Sequence, residues 1–430
     1  MQGLPRTHAP PAPTCDGSFC GGATCDGATV TDVLVTLAKA LDLVGKGVFP
    51  RLRHGIEVAY TALRICESAG LGAADSRELL RAALVHDTGV SSMAQRASLI
   101  EFEIRNPFEH AERGARLLSM LPWLSGVSKL VAHHHDRFDG DNPGRARGDA
   151  IPLGSRIIHL ADRLTILAHR VPNVLNDKDL ILGWLRSRAP AVFDPSIVRA
   201  LQPVATRYAF WLDLMSDDLE QHLLSMIPPD SPRLSLEDLE PLSRVYAEVI
   251  DDKSPFTRRH SAGVAAVAAD LAVKAGCSHS DVTLIRVSGF LHDLGKLGVP
   301  DEVLDKPGSL SPLEWASIWG HPYDSLRILQ GIPVLHEVAR WASYHHERLD
   351  GSGYPFGATA EEMDLGCRLI CVSDVFQALN QARPYRTPMG WDQVARVMGG
   401  MARSGRLDGS LVEMVLGDYD KFRSLATQIT

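Results

Sequence analysis

Apolar residues recur along most of the chain with the three-to-four-residue period of an α-helix. After Val30 the residues that follow this spacing are Leu34, Leu37, Leu41 and Val44. Such a stripe is typical of a helix with one buried face. A clear alternation of apolar and polar residues, which would indicate strands, is hard to find anywhere. The pattern therefore predicts an all-α protein.

A proline-rich tract divides the helical pattern into two halves. Residues 227–233 contain three prolines, which no helix interior tolerates. We predict that this tract is a linker between a first domain over 29–226 and a second domain over 234–430. Residues 1–28 have little apolar periodicity and predict a mobile tail. This tail carries Cys15, Cys20 and Cys25; a metal site is the alternative there, although their spacing lacks the paired Cys-x2-Cys of ordinary zinc sites.

The spacing of the histidines shows that the second half repeats the first. In each half a single histidine precedes a His-Asp pair by 32 residues, and another precedes a His-His pair by 24. An aspartate then follows the last histidine by 27 residues in the first half and by 28 in the second. The first set is His54, His86, Asp87, His110, His134, His135 and Asp162. The second is His260, His292, Asp293, His321, His345, His346 and Asp374. We infer a tandem duplication of one helical bundle domain.

Composition and charge exclude several classes of protein. Apolar residues make up 45% and charged residues 22% of the chain, as in ordinary globular proteins. A net charge of −8 has the wrong sign for binding a nucleic-acid polymer. The longest stretch without charged residues is the twelve residues 117–128, whereas a membrane helix needs about 20 apolar residues. With no secretory signal and an odd number of cysteines, we predict a cytoplasmic protein without disulfides. Formation of a homo-oligomer stays open.

The repeated histidines and aspartates predict a metal centre in each half. His260 shares a helix face with Val264, Val267 and Leu271, and His54 shares one with Val58, Thr61 and Ile65, so both point inward. A lone inward histidine is usually a core residue, but seven donors together favour metal binding. One catalytic ion needs three or four protein ligands, so seven suit two ions bridged by a carboxylate such as Asp293. Iron or manganese fits this donor set, with zinc as an alternative. Two such ions indicate phosphodiester hydrolysis.

Three features distinguish the second half from the first. Lys296 follows His292-Asp293, where the first half has Val90; we predict that it neutralises a phosphate oxygen, the alternative being a solvated surface lysine. The loop Asp350-Gly-Ser-Gly-Tyr-Pro355 is expected to line a pocket rim with Tyr354, or else to be a structural turn. Two arginines that follow Asp374, at positions 383 and 386, are suited to binding phosphates, and in the first half the region beyond Asp162 has a lone Arg170 in place of such a pair.

In these motifs the second half closely resembles the HD-GYP domain, an all-helical branch of the HD phosphohydrolases. The matching segments include His292-Asp-Leu-Gly-Lys296, His345-His-Glu-Arg-Leu-Asp-Gly-Ser-Gly-Tyr-Pro355 and Asp374-Val-Phe-Gln-Ala-Leu379. The resemblance implies that the seven residues of the second set bind iron or manganese. It also implies that Lys296, Arg383 and Arg386 contact substrate phosphates. Some family members have a Glu four residues before the first histidine and bind a third metal; Phe256 stands there in this chain, so two metals are expected.

The resemblance also implies a function. The family hydrolyses cyclic di-GMP to pGpG or GMP, and some members prefer 3′,3′-cyclic GMP-AMP. We therefore expect a metal-dependent cyclic-dinucleotide phosphodiesterase in which Asp293 and Lys296 are catalytic, Tyr354 contributes to substrate binding and the nucleophile is a hydroxide activated by two metals. The alternatives are a non-catalytic cyclic-dinucleotide receptor, another HD-type enzyme and a di-iron oxygenase. The first half resembles the family more loosely, and we expect a degenerate, catalytically silent copy that keeps a metal or is a metal-free relic.

Overall fold

The computed structural model describes residues 28–45, 53–101, 107–227, 233–254, 259–381 and 387–427. In these ranges the chain is helical, and its β-structure is limited to two isolated bridges, Thr29 with Arg233 and Asp350 with Thr359. The all-α prediction is thus confirmed. Several predictions fall on residues outside these ranges, namely those for the N-terminal tail with its three cysteines, most of the linker, Phe256, Arg383 and Arg386.

The helices of the first half form one bundle. They are α1 (Val30–Asp42), α2 (His54–Ala69), α3 (Ala73–Val85), α4 (Met93–Leu99), α5 (Phe108–Ser119), α6 (Ser125–Ala132), α7 (Leu153–Arg170), α8 (Val174–Ser187), α9 (Pro195–Ala205), α10 (Tyr208–Met215) and α11 (Leu219–Met226). Of the predicted stripe after Val30, three residues lie on α1 and Val44 lies in the 3-10 turn Leu43–Gly45, and all four are buried. This helix begins at a capping box in which the Thr29 side chain accepts from Asp32 N and the Asp32 side chain accepts from Thr29 N.

The second half forms a bundle with the same order of site-bearing helices. Its helices are α12 (Leu236–Asp251), α13 (His260–Lys274), α14 (His279–Leu291), α15 (Asp301–Leu304), α16 (Pro312–Trp319), α17 (His321–Leu329), α18 (His336–Ser343), α19 (Leu365–Asn380), α20 (Trp391–Arg403), α21 (Gly409–Gly417) and α22 (Tyr419–Thr427). Helix α13 packs against α14 and α19, as α2 packs against α3 and α7 in the first half. The repeat in sequence is therefore a repeat in structure.

The two bundles contact each other close to the second set of donors. Helix α1 packs against α2 and α3 of its own half and also against α17 of the other. The 3-10 turn Leu43–Gly45 packs against the 3-10 helix Leu294–Gly298, which carries Lys296. At the edge, the Arg113 guanidinium lies 3.0 Å from the Asp252 carboxylate. Among the described helices, none has the length and apolar character needed to cross a membrane.

Candidate functional site

Helix ends bring the predicted donors of the second half to one point. Three of them begin or directly follow helices: His260 is the first residue of α13, His292 follows α14 and His321 begins α17. Asp293 follows His292, the pair His345-His346 lies just beyond α18, and Asp374 lies within α19. In two groups of three, His260 with His292 and Asp374, and His321 with His345 and His346, the donor atoms lie within 4.8 Å of one another.

Asp293 lies between two pairs of histidines. Its Oδ2 atom is 3.6 Å from His260 Nε2 and 3.4 Å from His292 Nε2. Its Oδ1 atom is 3.3 Å from His321 Nε2 and 3.6 Å from His345 Nε2. Each carboxylate oxygen thus faces a different pair of imidazoles. This is the arrangement in which one carboxylate can bridge two metal ions.

The hydrogen bonds of these histidines test whether a metal fits. Backbone carbonyls accept a hydrogen bond from Nδ1 of His292 at 2.8 Å, of His321 at 2.6 Å and of His345 at 2.7 Å. A neutral imidazole with its proton on Nδ1 presents a lone pair at Nε2. The Nε2 atoms of His321 and His345 face each other at 3.2 Å. Two lone pairs cannot form a hydrogen bond, whereas a cation satisfies both, so the donors fit a metal.

At His345, His346 and Asp293, burial and charge favour the protonation states that bind metals. Burial lowers the pKa of His345 and of His346 well below the ordinary range, so both imidazoles are neutral. Burial alone would raise the pKa of Asp293, but the neighbouring His292 and Lys296 outweigh it and hold the pKa well below its usual value. Neutral imidazoles and ionised carboxylates are the ligand forms that metals need.

Gln377 orients His260, a role that the sequence analysis did not assign. His260 Nδ1 donates to Gln377 Oε1 at 2.5 Å, which leaves Nε2 directed at Asp374 Oδ1, 3.3 Å away. A polar partner on the second ring nitrogen fixes the tautomer of a metal-binding histidine. The signal was readable, because Gln377 is three residues after Asp374 on α19 and therefore on the same helix face.

Lys296 lies at the site and not on the solvated surface. Its Nζ atom is 2.5 Å from Asp293 Oδ2, and its side chain is 19% exposed. Lys296 can take this position because residue 295 is a glycine. A Cβ on residue 295 would lie 2.0 Å from the carbonyl oxygen of His321. The 3-10 helix can therefore approach α17 closely only with glycine at this position.

Glu347 holds the predicted rim loop, which contains Tyr354, against the pair His345-His346. This buried carboxylate accepts hydrogen bonds from Phe356 N at 2.7 Å and from Ala358 N at 2.9 Å. The loop comes so close that a Cβ on Gly353 would lie 2.4 Å from Glu347 Cα. The Tyr354 ring then lies 4.8 Å from the ring of His346. Glu347 also had no role in the sequence analysis, since its partners are backbone groups that no side-chain pattern reveals.

The seven predicted donors of the first half come together in nearly the same geometry. Asp87 Oδ2 lies 3.4 Å from both His54 Nε2 and His86 Nε2, and Asp87 Oδ1 lies 3.5 Å from His110 Nε2. His110 Nε2 in turn lies 3.2 Å from the Nε2 atoms of both His134 and His135. Burial lowers the pKa of His110 to about 3 and that of His134 to about 4, so these imidazoles are neutral.

Two buried arginines distinguish the first cluster from the second. The Arg96 guanidinium contacts Asp87 Oδ2, so the oxygen that meets Lys296 in the second half meets an arginine here. Arg163 holds Asp162 through two nitrogens, with Nη2 2.8 Å and Nε 3.1 Å from Oδ2. The comparison of motifs pointed to Val90 in place of a lysine, but neither arginine was predicted to pair with a carboxylate. Arg96 lies nine residues beyond Asp87 on a separate helix, α4, so spacing along the chain gave no signal, whereas Arg163 directly follows Asp162 and was readable.

The two clusters also differ in their access to solvent. All seven donors of the first half are buried. In the second half, the His346 side chain is 21% exposed and that of Asp374 is 11% exposed, and both lie on the side of Tyr354 and Lys296. The second cluster therefore has an edge in contact with solvent at His346 and Asp374, whereas the donors of the first cluster are all buried.

Both halves match the family model described as HD domain, over residues 36–197 and 244–411. The sequence is 31% identical over 399 residues to the 3′3′-cGAMP-specific phosphodiesterase 1 of Vibrio cholerae, which covers 91% of this chain and 92% of that protein. It is 33% identical over 291 residues to the 3′3′-cGAMP-specific phosphodiesterase 3 of the same organism, with 66% of this chain and 62% of that protein covered.

A third relative is named for a different substrate. The cyclic di-GMP phosphodiesterase response regulator RpfG of Xanthomonas campestris is 37% identical over 215 residues, which cover 49% of this chain and 55% of that protein. Among solved structures, a cyclic GMP-AMP-specific phosphodiesterase of Vibrio cholerae superposes with a TM-score of 0.65 at 23% identity, covering 92% of this chain and 98% of that one. At this identity the superposition shows a shared fold.

Proposed function

Because this chain belongs to the HD domain family, we propose that its second half hydrolyses a 3′,3′-cyclic dinucleotide at the cluster around Asp293. The observation that carries this proposal is the position of Asp293, whose two oxygens face two separate pairs of histidines. A mononuclear site would use one side of such a carboxylate. Two facing sets of donors suit a reaction at a phosphodiester, in which an attacking and a leaving oxygen both need stabilisation.

The residues of the cluster have separate roles in this proposal. Those that hold the metals are His260, His292, Asp293, His321, His345, His346 and Asp374. When bound, two divalent ions, iron or manganese, supply an activated water and neutralise charge on the phosphoryl oxygens. Lys296 stabilises a nonbridging oxygen as negative charge develops, and Asp293 holds that ammonium in place. Arg383 and Arg386 remain proposed phosphate contacts.

The relatives' names give two candidates for the substrate. The relative that matches 91% of this chain is named for 3′3′-cGAMP, whereas RpfG, named for cyclic di-GMP, matches 49%. We therefore propose 3′,3′-cyclic GMP-AMP as the first substrate to test and cyclic di-GMP as the second. This reverses the order expected from the family resemblance. The motifs that carry the resemblance are common to both activities and do not distinguish the two substrates.

The test is product chromatography after anaerobic incubation of the iron- or manganese-loaded full chain with each cyclic dinucleotide. Linear dinucleotide or mononucleotides should appear with the wild type and not with Asp293→Ala. Tight binding of a cyclic dinucleotide without any product would instead favour the receptor alternative. Neither binding nor product with either nucleotide would refute the proposal.

We further propose that the first half holds one metal ion and is catalytically silent. Its two carboxylates, Asp87 and Asp162, are neutralised by Arg96 and Arg163, whereas Asp293 and Asp374 are contacted by one described lysine and keep a net negative charge. Two divalent ions in a closed, already neutral cluster would leave a large uncompensated charge. A single ion avoids most of this cost.

The histidines of the first half indicate where that ion binds. On the His54 side, Asp87 Oδ2 is contacted by Arg96 and Asp162 is contacted by Arg163, so both carboxylates there are already paired with guanidiniums. His110, His134 and His135 converge within 4.8 Å and face Asp87 Oδ1. These three imidazoles and one carboxylate oxygen would hold a single ion, and this donor set would also suit zinc. Such an ion would stabilise a domain that packs against the helix carrying Lys296.

We also propose that the protein is cytoplasmic and that its partner is not a nucleic-acid polymer. The described cysteines, Cys66, Cys277, Cys367 and Cys371, are free thiols, which favours the reducing cytoplasm. The net charge of −8 disfavours a nucleic-acid polymer as partner. Membrane binding is not part of the proposal, and homo-oligomer formation is left open.

A further inference from the structure

A pair of exposed tryptophans lies beside the second cluster. Trp315 and Trp319 are four residues apart on α16 and are therefore on one helix face. Their rings are stacked, with centroids 6.1 Å apart and an angle of 24° between the planes. Trp315 is 41% exposed and Trp319 is 47% exposed. A contiguous group of exposed aromatic side chains beside a functional site is typical of a ligand-binding surface.

The tryptophans continue a row of rings that begins at the metal donors. The Tyr354 ring lies 4.8 Å from that of His346 and 6.3 Å from that of Trp319, which precedes His321 by two residues. The row His346, Tyr354, Trp319 and Trp315 thus leads from the exposed edge of the cluster to the surface. The row begins at His346, which is itself a predicted donor, and Trp319 is further positioned by His321 two residues later.

We infer that Trp319, extended by Trp315, is a stacking platform for a purine base of the substrate. This inference rests on the proposed function, because the phosphodiester must lie at Asp293 for a base to reach the row. A nucleotide base is flat and apolar on its faces, and stacking on exposed indole or phenol rings is the usual way in which proteins hold unpaired bases. Lys296 and the metals bind the phosphate end, so the row supplies the apolar half of the same ligand.

The platform has a consequence for specificity. Stacking does not distinguish bases, because each base has an aromatic face, whereas hydrogen bonds to the base edges do. Removal of the platform should therefore weaken 3′,3′-cyclic GMP-AMP and cyclic di-GMP by similar factors. Any preference between adenine and guanine must come from other contacts.

The test compares Trp319→Ala and Trp319→Phe with the wild type, using the metal-loaded full chain. In Trp319→Ala, KM should rise about five- to one-hundredfold for either nucleotide while kcat and metal content stay near wild type. Trp319→Phe should recover most of the affinity because it keeps an aromatic face. Trp391→Ala is the matched control, since Trp391 is 52% exposed at the start of α20.

The outcomes separate this inference from the proposed function. A wild type that hydrolyses no cyclic dinucleotide contradicts the function itself. An active wild type with unchanged KM in Trp319→Ala overturns the platform. A change in self-association by that variant without a change in KM also overturns it, because the indoles would then cover a second copy of the chain. Loss of kcat together with metal would make Trp319 a structural residue.

Discussion

Replacement of Glu347 by glutamine should loosen the loop that carries Tyr354 without unfolding the domain. The two carboxylate oxygens of Glu347 accept from the backbone N–H groups of Phe356 and Ala358. Glutamine has the same shape but carries no charge and offers an NH2 group in place of one acceptor. One backbone N–H therefore faces another donor, and the other loses the charge on its partner.

The size of the effect follows from these two hydrogen bonds. A hydrogen bond to a charged group contributes roughly 1.5 to 3 kcal/mol, and glutamine removes about one such bond outright. If the bound substrate needs the fastened loop, this free energy appears as a KM increase of about tenfold to one-hundredfold. The metal donors His345 and His346 keep their own contacts, so metal content should stay near the wild-type value.

Steady-state kinetics and metal analysis of Glu347→Gln check this expectation, together with limited proteolysis of the loop, which does not depend on the substrate. Faster cleavage within residues 350–358 is expected. Glu361→Gln is the control, because Glu361 is exposed in the neighbouring segment. An unchanged KM with unchanged proteolysis would show that other contacts hold the loop. Loss of metal in the variant would show that Glu347 supports the histidines and not the loop.

Three further outcomes follow from the two clusters. Asp293→Ala should abolish hydrolysis and lower metal content, because it removes the carboxylate shared by both donor sets; full metal loading with retained turnover would exclude the bridging role. Lys296→Ala should lower turnover by about tenfold to a thousandfold at near wild-type metal content, measured by product chromatography and elemental analysis. The wild-type chain should hold about three ions, and His110→Ala should remove one without loss of hydrolysis. About two ions in both proteins would contradict a metal in the first half, and about four in the wild type would contradict its single occupancy.

The residue pattern along the chain was enough to predict the helical class and the repeat, and it identified the histidines and aspartates that converge in both clusters. Helical period fixes which side chains face inward, so the spacing of their apolar neighbours was enough to place His54 and His260 on buried faces. The donors also keep their spacing between the halves, and residues held at fixed points of one helical framework converge in both copies. Local periodicity and the repeat were therefore sufficient to predict which histidines and aspartates converge in each half.

The tertiary structure decided what surrounds those donors. Arg96 reaches Asp87 from a separate helix, and Glu347 holds its loop through backbone N–H groups that no side-chain pattern records. In sequence the first half appeared to have lost a positive charge at Val90; in space it has two buried guanidiniums on its carboxylates. Electrostatic interactions depend on distance through space and on burial, not on separation along the chain. The charge balance that distinguishes a closed cluster from an open one was therefore visible only once the helices were packed.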